Sequence, residues 1–520
     1  ESMFSKDEIL EAYCNLVYFG GTAYGVEDAA RQFFNKSAID LDLAEAALLA
    51  GILNSPYSFN PFSHPEAAKR RQMLVLSSML REGYIDRLMY DEAIADSMRY
   101  VPRRTRSNDF IDYVISQAEK KYGSEAVRYG GLRIYTTLDP DLQKMAEEEL
   151  AAGLMRLESE LDSTGQKLQG AVAVISVPTG EVKALVGSRT HIPGGFNRAT
   201  SDNRHVGSGV KPFVYFAALE QLGLQPYSVV KDSLITYRLP TGQRYRPRNF
   251  ERTYRGPVTL KFAIMNSINT VAVQLGNRLT PEKITETIRR FGVTAKLDEV
   301  LSLALGTSGI SPVEMASAYA LFARNGVYYE PAFFKRVEDI NGTVIDRGPL
   351  QIGQERIDPR ISFQVLDMLR GVVDRGTAYR AIRVRAGLTI PLAGKTGTSY
   401  DYTDAWFNGV TTSLATSVWV GYDRDLQLRK KNGGGATGGF AAAPIWASFM
   451  RRAAERYPAR EFRMPDGLKR AYVDPFQGWR VFDRSEGLDV IIPEDENPPG
   501  RIFDRLQGLF RFRRDSVRRN

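Results

Sequence analysis

Apolar positions change their spacing along this chain, and the change divides it. Ile9, Leu10, Tyr13, Leu16 and Val17 recur at helical spacing behind Ser5-Lys6-Asp7-Glu8, which has capping-box form. Leu43 to Leu53 is an Ala/Leu-rich helix stopped by Asn54-Ser55-Pro56, because proline disfavours a helical residue before it. Ala67 to Leu80 predicts a further helix. Residues 101–135 are polar and mixed, as in a linker holding one short helix near Asp109–Tyr122. From about Gly131 strand patterns enter. Ala171–Val177, the turn Pro178-Thr179-Gly180 and the run Glu181–Val186 read as a hairpin. Helices follow at about 211–222, 257–275 and 312–325, and a strand-like run at Thr411–Tyr422. Helices lying between strands of an antiparallel sheet predict an α+β or α/β/α domain. The boundaries read as 1–100, a linker over 101–135, a main domain over 136–480, and an acidic linker with a basic tail over 481–520.

Composition changes this picture little. The net charge is +8 over 520 residues, but residues 501–520 hold seven arginines against two aspartates, so the body is close to neutral and no nucleic-acid-binding surface is expected. Cys14 is the single cysteine, so no intramolecular disulfide can form. His64, His191 and His205 lack metal-ligand spacing, and no metal or cofactor is expected. No apolar run reaches membrane-span length. Glu1-Ser2-Met3-Phe4 runs directly into a helical pattern, which reads as a piece of something longer. In the tail, Ile502, Phe503, Leu506, Leu509 and Phe510 have helix-like spacing. That stretch reads as a solvated tail, with a basic helix lying on an anionic membrane as the alternative.

The candidate chemistry begins at Ser208-Gly209-Val210-Lys211. A serine hydroxyl needs a base to take its proton. On a helix, i and i+3 share a face, so Lys211 can reach Ser208, and to act as its base Lys211 must be neutral, its pKa lowered by burial or nearby positive charge. The S-x-x-K pattern alone decides nothing, since Ser228-Val229-Val230-Lys231 also fits it. Two later elements single out Ser208. Ser267-Ile268-Asn269 supplies a second serine and an amide on a predicted helix, and Lys395-Thr396-Gly397-Thr398 holds the only K-T-G. Ser201-Asp202-Asn203 and Ser58-Phe59-Asn60 lie before Ser208 and are rejected on order. The Gly433–Gly439 stretch lacks a phosphate-loop signature and reads as a hairpin near the site. His205 is read as structural.

The three elements in this order resemble the penicillin-binding transpeptidase family. The flanks agree: Asn197-Arg198-Ala199, Pro212-Phe213, Tyr254-Arg255-Gly256-Pro257, Asp404-Ala405-Trp406-Phe407, Thr437-Gly438-Gly439 and Ala443-Pro444. Gly131 to Asp139 looks like the start of that domain in bifunctional, class A members. Ser5 to Asn15, then Tyr18-Phe19-Gly20, Tyr24-Gly25-Val26, Phe33-Phe34-Asn35-Lys36 and Arg70-Arg71, resemble late motifs of the peptidoglycan glycosyltransferase family, with Cys14 replacing the usual leucine. The implied fold class is α+β. An all-α, lysozyme-like glycosyltransferase remnant, truncated at its start, precedes an α/β/α transpeptidase domain with a mainly antiparallel sheet.

The resemblance also implies roles. Ser208 attacks the carbonyl between the last two D-alanines of a peptidoglycan stem peptide, and Lys211 accepts its proton. Ser267 passes that proton to the departing D-alanine. Asn269 holds Lys211 and the substrate amide. Lys395, Thr396 and Thr398 bind the terminal carboxylate, and Gly397 lets the strand approach the substrate. The backbone N–H groups of Ser208 and Thr398 form an oxyanion hole. β-Lactams are the implied inhibitors. The acidic residues of sugar transfer belong to earlier motifs than those found here, so this chain is expected not to polymerise lipid II, although the parent would. In the remnant, Lys36 is a candidate contact to lipid-linked phosphates. The implied location is the extracytoplasmic face of the bacterial membrane, through an N-terminal anchor this chain does not carry. A D-Ala-D-Ala carboxypeptidase, a serine β-lactamase and a non-catalytic penicillin-binding module share the serine and remain as alternatives.

Overall fold

The computed structural model describes residues 4–20, 23–95, 107–129, 131–239, 242–339, 341–349, 352–482, 485 and 487–500. The expected basic tail over 501–520 and the linker stretch 101–106 lie outside them. The chain divides into two compact units, residues 1–107 with 117–132, and residues 108–116 with 133–520.

The first unit is helical, as its periodicity predicts, with helices Lys6–Leu16, Val26–Phe34, Leu43–Ile52, Pro65–Arg81 and Arg87–Ala95. The Ser5/Glu8 capping box forms, and a second one joins Asp42 to Glu45. The apolar stripe of Lys6–Leu16 buries no residue, however, and Leu16 is 74% exposed. The core gathers instead around Phe19, Phe33, Phe34, Leu48 and Ile52.

The second unit is built on a five-stranded sheet. Its strands are β1 (Gln169–Ser176), β2 (Val182–Val186), β3 (Ala393–Thr398), β4 (Asp404–Val410) and β5 (Leu414–Gly421). They lie in the order β3-β4-β5-β1-β2, and every neighbouring pair is antiparallel. Side chains alternate between faces along a strand. On β4, Phe407 stacks edge-on against Trp446 of the helix Ala442–Ala453. The next residue, Asn408, accepts a hydrogen bond from Ser417 and lies under Gly209. One face therefore carries Ala442–Ala453 and α1 (Pro140–Glu160). The other carries the helix Pro312–Ala323, on whose Tyr319 and Phe322 α2 (Lys211–Leu222) packs through Phe213. This is the expected three-layer α+β arrangement, and it leaves β3 at the sheet edge beside the serine turn.

Three readings change. The helix expected over 257–275 is a strand, Gly256–Thr259, followed by α3 (Leu260–Met265) and α4 (Asn269–Leu279). Between the helices Ser267 takes a left-handed φ of +54°, so it lies on a break rather than on a helix. The apolar spacing runs unbroken through this segment, because Ile264, Ile268 and Val271 are all buried. The second change is the pair β3 and β4, which glycine and threonine hide from a hydrophobicity pattern. The third lies in the segment read as a linker after 480. Leu488–Pro493 is a strand paired with Leu468–Val473, and Val490 and Ile492 pack with Met265 at the end of α3.

Candidate active site

Ser208 sits on a short 3-10 turn, Gly207–Val210, that leads into α2. A 3-10 turn has three residues per turn, so the i, i+3 pair is eclipsed and Lys211 lies beneath Ser208. Gly207 makes this turn possible. Its φ is +53°, and a Cβ there would fall 2.3 Å from the Thr398 carbonyl oxygen. Its N–H donates to Gly306 O at 3.0 Å. The Tyr319 hydroxyl donates to Gly209 O at 2.7 Å, and Trp406 Nε1 donates to His205 O at 2.9 Å. His205 thus contributes its carbonyl to the support of the turn.

Ser208 is half-buried, whereas Lys211 and Lys395 are fully buried. Lys211 Nζ donates to Ser267 O at 2.6 Å and to Asn269 Oδ1 at 2.7 Å, and lies 3.2 Å from Ser267 Oγ. Lys395 Nζ donates to the same Ser267 Oγ at 2.9 Å and to Thr396 O at 3.0 Å. Among the described residues, no carboxylate pairs with either lysine. Burial, and then the charge of Lys395, hold Lys211 well below the ordinary lysine range. Burial brings Lys395 down to about 7. Two ammonium groups joined through one oxygen stand no more than about 6 Å apart. At an effective dielectric of about 20 their repulsion is about 3 kcal/mol. One charge fits here and two do not. With Lys395 as the ammonium and Lys211 as the amine, both hydrogens of the amine have a place. Lys211 gives its two N–H groups to Ser267 O and Asn269 Oδ1. Its lone pair is left for the Ser267 hydroxyl, to which Lys395 donates.

Asn269 is held by backbone and amide groups. Its Nδ2 donates to Arg248 O at 2.9 Å, and its N–H donates to Asn249 Oδ1 at 3.1 Å. Asn249 Nδ2 donates to Asp232, which also accepts from Thr270 Oγ1 and from the Arg255 N–H. On β3, the Thr398 hydroxyl accepts from the Gly438 N–H at 3.0 Å, which leaves its own hydrogen to donate. Thr396 Oγ1 lies 2.8 Å from Thr377 Oγ1. Gly397 is tight for a different reason from the one expected. A Cβ there would meet Val206 O at 2.4 Å and Trp406 Cβ at 2.9 Å, so the missing side chain admits the serine turn.

The structure therefore brings Ser208, Lys211, Ser267, Asn269 and Lys395–Thr398 together. Lys36 belongs to the first unit, where its ammonium lies 2.6 Å from Glu45. Reading by motif missed Asp232, Asn249 and Thr377. Thr377 joins two motifs: its N–H donates to Met265 O, two residues before Ser267, and its hydroxyl meets Thr396. No spacing pattern marks it. Gly438 was visible as a flank, without a role.

Comparison with known proteins gives the same two-part division. Residues 170–451 match the penicillin binding protein transpeptidase domain, and residues 1–80 match the transglycosylase family. Penicillin-binding protein 1A of Aquifex aeolicus is 34% identical over 96% of this chain and 78% of its own length. Penicillin-binding protein 2D of Bacillus subtilis is 35% identical over 92% of this chain and 69% of its own. Penicillin-Binding Protein 1A from Haemophilus influenzae shares the fold, with a TM-score of 0.77, 24% identity and coverage of 96% of this chain and 93% of that one. PonA1 from Mycobacterium tuberculosis, solved in complex with penicillin V, has a TM-score of 0.58 at 25% identity, covering 68% of this chain and 94% of that one.

Thr377→Val is nearly isosteric and removes the hydroxyl facing Thr396. It should slow acylation by a β-lactam about fivefold, the worth of one hydrogen bond, while Thr377→Ser acylates at the wild-type rate. Stopped-flow acylation kinetics check this, and an unchanged rate in the valine variant would remove Thr377 from the site.

Proposed function

The chain belongs to the class A penicillin-binding proteins, and on that footing we propose that Ser208 is the nucleophile of a D-Ala-D-Ala transpeptidase that cross-links peptidoglycan stem peptides. The observation that carries this reading is the fully buried Lys211 amine, held at the Ser267 hydroxyl beside a second buried lysine.

Ser208 Oγ attacks the carbonyl carbon of the penultimate D-alanine, and its proton passes to the neutral Lys211 Nζ. The negative oxygen that forms is met by the backbone N–H groups of Ser208 and Thr398, on the two segments that Gly207 lets approach. The C–N bond then breaks. The proton travels from Lys211 through Ser267 Oγ to the departing D-alanine nitrogen, leaving an ester on Ser208. An amine from a second stem attacks that ester, gives its proton back along the same route and leaves as the cross-linked amide. Lys395, charged and hydrogen-bonded to Ser267, faces the terminal carboxylate together with the free Thr398 hydrogen. A β-lactam offers the same carbonyl and carboxylate, but its leaving nitrogen stays tethered, so the ester persists. Asp232 accepts three hydrogen bonds at its place behind Asn269 and is not available to activate a water. That favours transfer to an amine over the β-lactamase alternative.

The helical unit carries the match to the transglycosylase family, and we infer that the carboxylates it shows in structural contacts do not serve sugar transfer from lipid II. Two of its carboxylates are in structural use. Glu27 accepts from the Ala38 N–H at 2.7 Å and from Ser37 Oγ, and Glu45 pairs with Lys36 and caps Asp42. Lys36 would have to leave Glu45 to reach a phosphate. The protein works on the extracytoplasmic side, where wall is built. Among the described residues no helix is long and apolar enough to cross a membrane.

Incubation with benzylpenicillin followed by peptide mapping should place one adduct on Ser208 and none on Ser208→Ala protein. An adduct on another residue would overturn the assignment. Given lipid II, the chain should form no glycan polymer, and polymer on a gel would contradict the reading of the helical unit.

A further inference from the structure

Strands Val229–Asp232 and Gly256–Thr259 pair antiparallel and close the base of an excursion from the domain. Residues 236–255 of this excursion contain six arginines, Arg238, Arg244, Arg246, Arg248, Arg252 and Arg255, against one carboxylate, Glu251. All six arginines are exposed. Arg255 takes Glu251 at 3.1 Å, and no other carboxylate of the described residues pairs with this group. A merely solvated face mixes both signs of charge. This one does not, although the body outside it is close to neutral.

The excursion is also fixed in place at the mouth of the site. Asn249 is anchored inward on the buried Asp232 and receives the N–H groups of Asn269 and Thr270. Its neighbours Arg248 and Phe250 are exposed. The Arg248 carbonyl accepts directly from Asn269 Nδ2. The Phe250 ring stands 5.6 Å from that of Tyr402, on the loop after β3. Burial raises the Tyr402 hydroxyl above its ordinary range, and the nearby charge of Arg252 opposes that rise. Beside Tyr402 opens a cavity of about 370 Å³, lined also by Gln427, Arg429 and Gly433–Gly435. Cationic forks, the exposed Phe250 ring and the half-buried Tyr402 ring thus frame the approach to the Ser208 site.

We propose that this arginine rim is a second recognition site for the peptide substrate, one that takes carboxylates carried upstream of the terminal D-Ala-D-Ala. The proposal rests on the transpeptidase reading of Ser208. Lys395 is sunk in the site and meets the terminal carboxylate only. A peptide running out of the cleft past Asn269 meets Arg246, Arg248 and Arg252 next, and guanidinium groups pair with carboxylates through two parallel N–H···O bonds. Phe250 and Tyr402 cover the apolar stems between those charges. The rim selects peptides by acidity without taking part in bond making. A β-lactam, too short to reach it, is blind to it.

Two peptides ending in D-Ala-D-Ala, one with a free side-chain carboxylate upstream and one with that group as carboxamide, test this at low ionic strength. The wild-type protein should favour the carboxylate form in kcat/KM by about tenfold, the worth of a charge-assisted pair, and the preference should shrink in about 0.5 M salt. The double variant Arg246→Gln/Arg252→Gln should lose most of the preference, while Arg246→Lys/Arg252→Lys retains part of it. Benzylpenicillin acylation of Ser208 at the wild-type rate in both variants shows that the fold and the site are intact. Equal use of the two peptides by the wild type, or an undiminished preference in the glutamine variant, would overturn the rim. Failure of the wild type to be acylated would instead overturn the Ser208 reading on which it rests.

Discussion

One hydroxyl shared by two buried lysines governs this structure. Ser267 Oγ lies 3.2 Å from Lys211 Nζ and 2.9 Å from Lys395 Nζ, and among the described residues no carboxylate pairs with either amine. Burying an unpaired charge is expensive, so the pair holds fewer protons than two surface lysines would. That deficit is the chemistry. It yields a neutral amine under the serine at neutral pH and keeps one cation for an anionic ligand. Water would provide neither in such proximity.

The surrounding fold places these groups by contacts between backbones. Gly207 and Gly397 have no side chains where the serine turn and β3 press together, and Gly306 approaches Gly207 in the same way. Ser267 is turned out of the helical path at φ +54°, which directs its carbonyl and hydroxyl at Lys211. Thr377 then links the end of α3 to β3, so the second and third motifs share a support. Asp232 and Asn249 do the same for Asn269 from the other side, and they carry the arginine rim with them.

Much of this was legible before any fold was known, for specific reasons. S-x-x-K is short-range, and its i, i+3 geometry survives the exchange of an α-turn for a 3-10 turn. The order of Ser208, Ser267 and Lys395 separated them from Ser228 and from the Ser201 decoy. Other features depend on contacts between distant segments and leave no local trace. Periodicity carried a helix straight through Ser267, because the apolar positions on both sides of the break remain in register. β3 is rich in glycine and threonine and has no alternation. Leu488–Pro493 reads as linker because the acidic, proline-rich stretch beside it dominates the composition. The apolar stripe of Lys6–Leu16 predicts the helix that forms, yet its face is exposed. Thr377 is one threonine among many until Thr396 and Met265 are seen on either side of it.

The central claim is that Lys211 is an amine while Lys395 holds the one charge. Direct observation of the two side-chain nitrogens by NMR, with isotope-labelled lysine and with Lys211→Ala and Lys395→Ala proteins for assignment, tests it without relying on any substrate. Across neutral pH the protein should show one lysine already deprotonated, assigned to Lys211, and a second titrating near 7, assigned to Lys395. Two lysines that both keep their protons until the pH approaches about 10, as free side chains do, would contradict the account.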